Sequence, residues 1–124
     1  MLLFDDFVAD PAARAPALPL EKTDPDQHVL LVSLSTTTRG VLLTVRGKGQ
    51  GCCMILRTRT MRPGQGYLAR FLASPDWQTL NLALGEFQPV GGVLRRHPRP
   101  EALHAYTLRS ETEAELSVAR VSFY

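Results

Sequence analysis

The sequence predicts an all-β fold, an antiparallel β-sandwich or jelly roll, and three observations support this prediction. Residues 40–90 consist of short strand-like runs separated by glycine, proline and aspartate, which commonly end strands. Four of these runs, residues 41–46, 52–58, 67–73 and 77–82, are each about one strand long. No convincing helical repeat of apolar residues accompanies them. Several short strands at close spacing are typical of sandwiches and jelly rolls.

Alternation within the runs predicts which side chains face the core. One face of residues 67–73 carries Tyr67, Ala69, Phe71 and Ala73, and the other carries Leu68, Arg70 and Leu72. The closing strand, residues 115–124, changes phase near Ala119, so we expect a bulge there. Phe87 is expected to anchor a loop by burial. Residues 90–100 are predicted to be irregular, basic and exposed.

The remaining segments complete a single domain over residues 1–124. Residues 2–8 predict a short first strand, and residues 10–25, with four of the nine prolines, predict a cover or linker segment. Residues 28–34 are apolar on both faces and predict a central strand. Residues 103–109 predict the strand before the last. The glycine-rich run 47–51 is expected to form a loose hairpin.

Composition places the chain among ordinary soluble proteins. The apolar fraction is 44% and the charged fraction is 21%. No stretch approaches the ~18 apolar residues of a membrane span, and the first ten residues lack the basic region of a signal peptide. We therefore expect a cytoplasmic protein that does not span a membrane.

Charge is unevenly distributed along the chain. Residues 1–26 carry a net charge of −4, and residues 27–124 carry a net charge of +6 that comes almost entirely from arginine. Arginine is suited to planar pairing with carboxylates or phosphates. The overall charge of +2 is nevertheless too small to indicate a nucleic-acid partner, and we expect none.

The two cysteines, Cys52 and Cys53, are adjacent and so point to opposite faces of a strand. An ordinary disulfide between them would be strained, which fits a reducing compartment. Vicinal cysteines can be redox-active or bind soft metals. The more ordinary interpretation is one small core residue and one partly exposed thiol.

The sequence proposes no catalytic or metal-binding constellation. The three histidines, His28, His97 and His104, have no second ligand at metal-binding spacing. The acids after residue 26 are sparse, and no nucleophile elbow is present. We therefore expect a protein that is not an enzyme and that has no cofactor and no metal.

The candidate binding residues are Arg57, Arg59, Tyr67 and Arg70. Arg57 and Arg59 are two positions apart, so they would share one face of their strand. If residues 52–58 and 67–73 pair as a hairpin, Arg70 is expected across from them. An arginine-lined sheet face with an aromatic ring can hold a sugar, a small anion or a peptide. The alternative is that these arginines pair with local acids and cover the sheet.

Trp77, the single tryptophan, stands next to the turn at residues 74–76. It is expected to be a core anchor rather than a stacking platform.

Several short motifs follow one another over residues 40–124: Arg46-Gly47-Lys48-Gly49, Leu56-Arg57-Thr58, Tyr67-Ala69-Phe71, Trp77-Gln78, Phe87-Pro89 and Phe123-Tyr124. In their order and spacing the chain resembles the complex I intermediate-associated protein family, which is related to an assembly factor of mitochondrial NADH:ubiquinone oxidoreductase. The family's segments near its start, an Asp-x-x-Met-Gly-Gly-x-Ser motif and a Gly-Gly-Phe strand, are absent, so the chain is similar to a shortened, divergent member.

The resemblance implies a galactose-binding-domain-like jelly roll in a bacterial protein with a non-enzymatic, chaperone-like role in assembly. The implied partners are proteins such as respiratory-complex subunits. A shortened sandwich would also expose a strand edge, which a homodimer would cover. The alternative function is a carbohydrate- or small-anion-binding module that uses the four candidate residues.

Overall fold

The computed structural model describes residues 27–124, which form eight strands in two antiparallel sheets. The expected strand at residues 2–8 and the proline-rich segment 10–25 lie outside the described residues. The strands are β1 (Gln27–Val29), β2 (Gly40–Arg46), β3 (Gln50–Thr58), β4 (Gly66–Ala73), β5 (Gln78–Ala83), β6 (Gln88–Val90), β7 (Leu103–Ser110) and β8 (Ser117–Phe123).

The two sheets pack face to face and enclose the core. The larger sheet has the order β1-β7-β3-β4-β6, and the smaller has the order β5-β2-β8. The smaller sheet contributes Leu43 to the core, and the larger contributes Met54 and Phe71. Leu43 and Met54 are fully buried. The fold is therefore the all-β antiparallel sandwich that the sequence predicts.

Four predicted strands are confirmed as β2, β3, β4 and β5, because their alternation is satisfied by burial on one face. In β4, Tyr67, Ala69, Phe71 and Ala73 are buried, whereas Arg70 and Leu72 are exposed. The predicted bulge in the last strand is also confirmed. Thr44 pairs with Arg120 and Val45 pairs with Val118, so Ala119 is the extra residue. The bulge lets Val118 and Val121 both contact the core.

The connection between β5 and β6 confirms the predicted role of Phe87. A 3-10 turn, Leu84–Glu86, ends at Phe87, whose side chain is fully buried. The strand β6 that follows was not expected. A second 3-10 turn, Pro100–Ala102, leads into β7.

The prediction of a central strand at residues 28–34 is wrong. Strand β1 ends at Val29, and within the described residues it pairs only with β7. Leu31 is 96% exposed and Val32 is 73% exposed, so this apolar run leaves the sheet instead of crossing the core. The composition of an apolar run does not distinguish a loop from a buried strand, because backbone pairing with a neighbouring strand makes the difference.

The expected hairpin at residues 47–51 is also wrong, because β2 and β3 belong to different sheets. The chain crosses from one sheet to the other through residues 47–49. Gly49 has a φ of 86°, a conformation that favours glycine.

Leu43→Ala tests the position of the core between the sheets. We expect it to lower the free energy of unfolding by about 2–5 kcal/mol, because Leu43 is fully buried. Leu72→Ala is the matched control; Leu72 is 67% exposed, and the loss should be within about 0.5 kcal/mol. Urea unfolding measures both values. Equal losses in the two variants would contradict the packing described above.

Candidate functional site

The structure does not bring the four candidate residues together, since Arg57 and Arg70 lie apart on the outer face of the larger sheet and Tyr67 lies in the core. Arg57 lies near the end of β3, and exposed Arg59 lies in the turn that follows. Buried Tyr67 faces the core, with 2% of its surface exposed. Arg70 pairs across the strands with Cys53 rather than with Arg57. The β3–β4 hairpin was predicted correctly, but its register separates Arg70 from Arg57 by about four residues along β3, roughly 13 Å, and Arg59 lies farther still, beyond the end of β3.

Arg70 forms an exposed ion pair with Glu111, with 3.0 Å between Nε and Oε2. Such a pair in water contributes little to stability. This contact matches the alternative in which an arginine pairs with a local acid and covers the sheet.

Arg57 is held by the polypeptide itself. Its Nη2 donates to the carbonyl oxygens of Met61 at 3.3 Å and Arg62 at 2.9 Å, and its Nη1 donates to Gln27 Oε1 at 3.4 Å. These bonds tie the β3–β4 turn to the sheet. The remaining donor, Nε, is buried and has no hydrogen-bond partner.

His104 lies beside the two neighbouring arginines. The pairing of β3 with β7 shifts between Arg57 and Thr58, and His104 is the extra residue in β7. Burial lowers the pKa of His104, and the positive charges of Arg59 and Arg57 lower it further. Its Nδ1 is buried without a partner. Arg57 and His104 thus each have one unsatisfied buried nitrogen in the same region.

Three connections meet at one end of the larger sheet, which we call the arginine-rich end. It consists of residues 30–39, 59–65 and 91–102. The meeting follows from register, because Thr58 pairs with Leu103 and Gly66 pairs with Val90. These segments contain one acid, Glu101, and six arginines: Arg39, Arg59, Arg62, Arg95, Arg96 and Arg99.

The opposite end of the molecule, which we call the acidic end, has the opposite charge. Residues 47–49, 74–77 and 111–116 connect strands there, and they carry one lysine and four acids. Backbone bonds join these segments to the same sheet end: Gly47 N–H donates to Ser74 O at 2.8 Å, and Glu111 N–H donates to Gly51 O at 2.9 Å. Charge is therefore separated along the strand direction.

Hydrogen bonds hold the arginine-rich end together. Tyr67 Oη donates to Arg95 O at 3.0 Å, and Gln65 Nε2 donates to Gly91 O at 3.1 Å. Gly91 has a φ of 74°, and an added Cβ would collide with the backbone of Gly64. Burial raises the pKa of Tyr67, while Arg95 opposes this effect, so the phenol stays protonated and donates its hydrogen. Tyr67 thus positions a loop rather than offering a binding ring.

Sequence reasoning identified residues 90–100 as basic and exposed, but it missed their meeting with two other segments. In a run of antiparallel hairpins, alternate connections lie at the same end. On the predicted strands, which lack β6, residues 59–66 and 83–102 are alternate connections, so their arginines could have been grouped on that basis. The prediction about individual strand faces drew attention to Arg70 instead.

Trp77 is 47% exposed, so its predicted role as a core anchor is wrong. It immediately precedes β5, and the guanidinium of Arg46 lies 4.7 Å from the centre of its ring. This cation–π contact stabilises the ring at the acidic end of the molecule.

The two cysteines are both buried, and neither forms a disulfide. The expectation of a partly exposed thiol is wrong: Cys53 lies on the outer face of β3, between Arg70 and Arg109 on the neighbouring strands, and is 5% exposed. Burial raises the pKa of Cys52, which disfavours the reactive thiolate.

Within residues 27–124, no group of three or more histidine, cysteine, aspartate or glutamate side chains is arranged to hold a metal ion. Across that same range, no helix has the length and apolar character needed to cross a membrane.

Comparison of the chain with protein-family models, curated proteins and solved structures found no match. The resemblance to the complex I intermediate-associated protein family therefore rests on the order of the short motifs alone.

A pH dependence tests the surroundings of His104. The lowered pKa means that the unfolded chain takes up a proton at His104 more readily than the folded chain does. Above the ordinary histidine pKa of about 6.5, His104 is neutral in both states and the folded protein keeps its full stability. The free energy of unfolding decreases as the pH falls from there toward the lowered pKa of folded His104. We expect His104→Gln to lose less stability than the wild type when urea unfolding is compared at about pH 7.5 and about pH 5.5.

His97→Gln changes an exposed histidine of the connection before β7 and serves as the control. A pH dependence that is identical in wild type and His104→Gln would contradict the assigned surroundings of His104.

Proposed function

We propose that this chain is a non-enzymatic binding module that acts through protein–protein interaction, in an assembly role of the kind implied by its resemblance to complex I intermediate-associated proteins. The observation that carries the proposal is the edge strand β5. Within residues 27–124, β5 pairs with β2 on one side only. A polypeptide is the ligand that satisfies a row of edge N–H and C=O groups.

Strand β5 is suited to accept another strand because its edge is regular. Its register with β2 is unbroken from the Gly40–Ala83 pair to the Val45–Gln78 pair. Its six residues, Gln78–Ala83, include neither a charged side chain nor a proline. Charges, prolines and bulges are the features by which edge strands commonly avoid pairing with other chains.

The other three edge strands of the described region carry such features. Strand β8 has Arg120 beside the bulge at Ala119. Strand β6 has three residues, of which one is Pro89, and β1 also has three residues. Strand β5 is therefore the edge at which strand addition meets the least obstruction.

Two further points support the binding role. The all-β sandwich of two antiparallel sheets belongs to the fold class that the resemblance implies. A second copy of this chain would be one form of the polypeptide partner, since a two-fold axis can pair two antiparallel β5 strands.

Thr79→Lys tests the role of the β5 edge. Thr79 is exposed on β5. Its replacement removes only an exposed contact, 3.0 Å between Thr79 Oγ1 and Thr44 Oγ1, so the substitution should leave the fold intact. We expect the tagged full-length variant to recover its protein partner from the native host about tenfold less well than the wild type, because a lysine beside the edge opposes strand pairing. Quantitative mass spectrometry, followed by reconstitution with the purified partner, measures the difference.

Ala119→Lys adds the same charge on the opposite edge of the smaller sheet, at the exposed bulge of β8, and should keep wild-type recovery. Light scattering during size-exclusion chromatography shows whether the partner is a second copy. Equal recovery by both variants and the wild type would refute the β5 edge as the binding surface.

One specific observation favours a second function, the binding of a small anion. The unsatisfied nitrogens of Arg57 and His104 lie beside exposed Arg59, and the two arginines present positive charge there, while neutral His104 offers a ring nitrogen. Phosphate and carboxylate oxygens are the usual acceptors for such donors. This arrangement retains Arg57 and Arg59 of the predicted site and replaces Tyr67 and Arg70 with His104.

Inorganic phosphate is the probe for this second function. We expect saturable thermal stabilisation of the wild type that is lost in Arg57→Ala and weakened in His104→Gln, because each variant removes one of the two nitrogens. Arg70→Ala is the control, since Arg70 is exposed and pairs with Glu111 elsewhere on the sheet. The anion site is refuted if phosphate fails to raise the melting temperature of the wild type, or raises that of Arg57→Ala equally.

A further inference from the structure

The most exposed apolar side chains of the described region gather at the arginine-rich end. Leu94 is 97% exposed, Leu31 is 96% exposed and Val32 is 73% exposed. The other large exposed apolar side chains, Leu72, Trp77 and Tyr124, are exposed to a smaller extent and lie outside the three segments. Single exposed leucines are common on protein surfaces, so these three support a binding surface only together with the arginines that share their end of the molecule.

Partly buried neighbours hold both exposed segments in place. Leu30 donates its N–H to His104 O at 2.8 Å and packs on the core, and Leu34 packs on the core after the exposed pair Leu31 and Val32. These contacts fix both ends of the short exposed segment.

The second segment is held in the same way. Val93 packs on the core before Leu94, and the carbonyl of Arg95 accepts the hydrogen of Tyr67 Oη after it. The exposed side chains of Leu31, Val32 and Leu94, which we call the apolar tips, therefore project from anchored loops and do not pack on the domain.

The apolar tips leave the larger sheet from its opposite sides. Leu31 and Val32 follow β1, whereas Leu94 is four residues beyond the end of β6. Four strand spacings separate β1 from β6, which is roughly 19 Å. Arg59 and Arg62 occupy the turn between β3 and β4, two strands that lie between these sides. This arrangement of separated apolar tips with cations between them fits an extended surface better than a small ligand.

We propose that the arginine-rich end docks on an anionic lipid bilayer, with Leu31, Val32 and Leu94 inserted among the headgroups and the arginines facing lipid phosphates. Basic side chains near an anionic membrane are attracted to it, and inserted apolar side chains add the burial of their surface. Six arginines supply the charge complementarity against two glutamates, Glu101 and Glu86, the second in the turn whose Leu84 N–H donates to Arg39 O.

The side chains present favour lipid over nucleic acid or an acidic protein. Segments 30–39, 59–65 and 91–102 contain no phenylalanine, tyrosine or tryptophan, and their one ring is the imidazole of His97, whereas single-stranded nucleic acid is commonly held by stacking on several aromatic rings. Protein interfaces concentrate their binding energy in a central packed cluster, often of aromatic residues and arginine. Separated aliphatic tips lack such a cluster.

Vesicle co-sedimentation of the full chain tests the proposal. We expect binding to phosphatidylcholine vesicles containing about one-third phosphatidylglycerol, weak binding to phosphatidylcholine alone, and loss of binding in about 0.5 M salt. Leu31→Asp and Leu94→Asp should each weaken binding about tenfold, because each removes an inserted apolar side chain and adds a repelled charge. Leu72→Asp, at a site 67% exposed on β4, should bind like the wild type.

Fluorescence reports insertion directly. Leu94→Trp should shift its emission to the blue and be quenched by brominated lipid. The native Trp77 lies at the opposite, acidic end, so wild-type emission should not change. Thr79→Lys should keep vesicle binding, which separates this proposal from the β5 edge.

Three results would overturn the proposal: no binding to anionic vesicles, binding that Leu31→Asp and Leu94→Asp leave unchanged, or equal weakening by Leu72→Asp. Binding of single-stranded DNA or poly-glutamate in place of vesicles would assign the surface to one of those polymers instead.

Discussion

The structure depends on one constraint, the burial of alternate side chains between two sheets. Leu43, Met54 and Phe71 meet in the core from strands of both sheets. Because side chains alternate with a period of two, a slip by one residue would turn an entire apolar face outward. The core therefore determines register, and register determines which connections meet at each end. The grouping of charged connections at the arginine-rich end and at the acidic end therefore follows from the packing of core residues that lie outside both ends.

Two interruptions of this alternation have different consequences. At Ala119 the extra residue restores the apolar face of β8, so the bulge serves the core. At His104 the extra residue lies beside Arg57, and the pairing of β7 shifts where the arginine-rich end begins. The first interruption is visible in the sequence, since Val118 and Val121 are out of phase. The second is not, because alternation within residues 103–109 gives no sign of a change of partner register.

The sequence predicts the sandwich and most strands, because alternation is a local property of residues such as 41–46 and 67–73. It does not predict where Leu31, Val32 and Trp77 lie, since apolar side chains have the same identity in a strand, a core or an exposed loop. The sequence also does not predict the spacing of the candidate site residues, for a similar reason. Whether Arg57 meets Arg70 depends on the offset between β3 and β4, and the length of the β3–β4 turn sets that offset.

The separation of charge along the strands also constrains how the proposed surfaces can be used together. Strands of both sheets run between the two ends, so a molecule approaching a negatively charged surface would turn its arginine-rich end toward that surface. The end with Asp76, Glu111, Glu113 and Glu115 would face away from it. The β5 edge runs along the side of the smaller sheet, and the arginine-rich end terminates the larger one. A strand added to β5 would leave the lipid-facing loops free, so one molecule could engage a bilayer and a polypeptide at the same time.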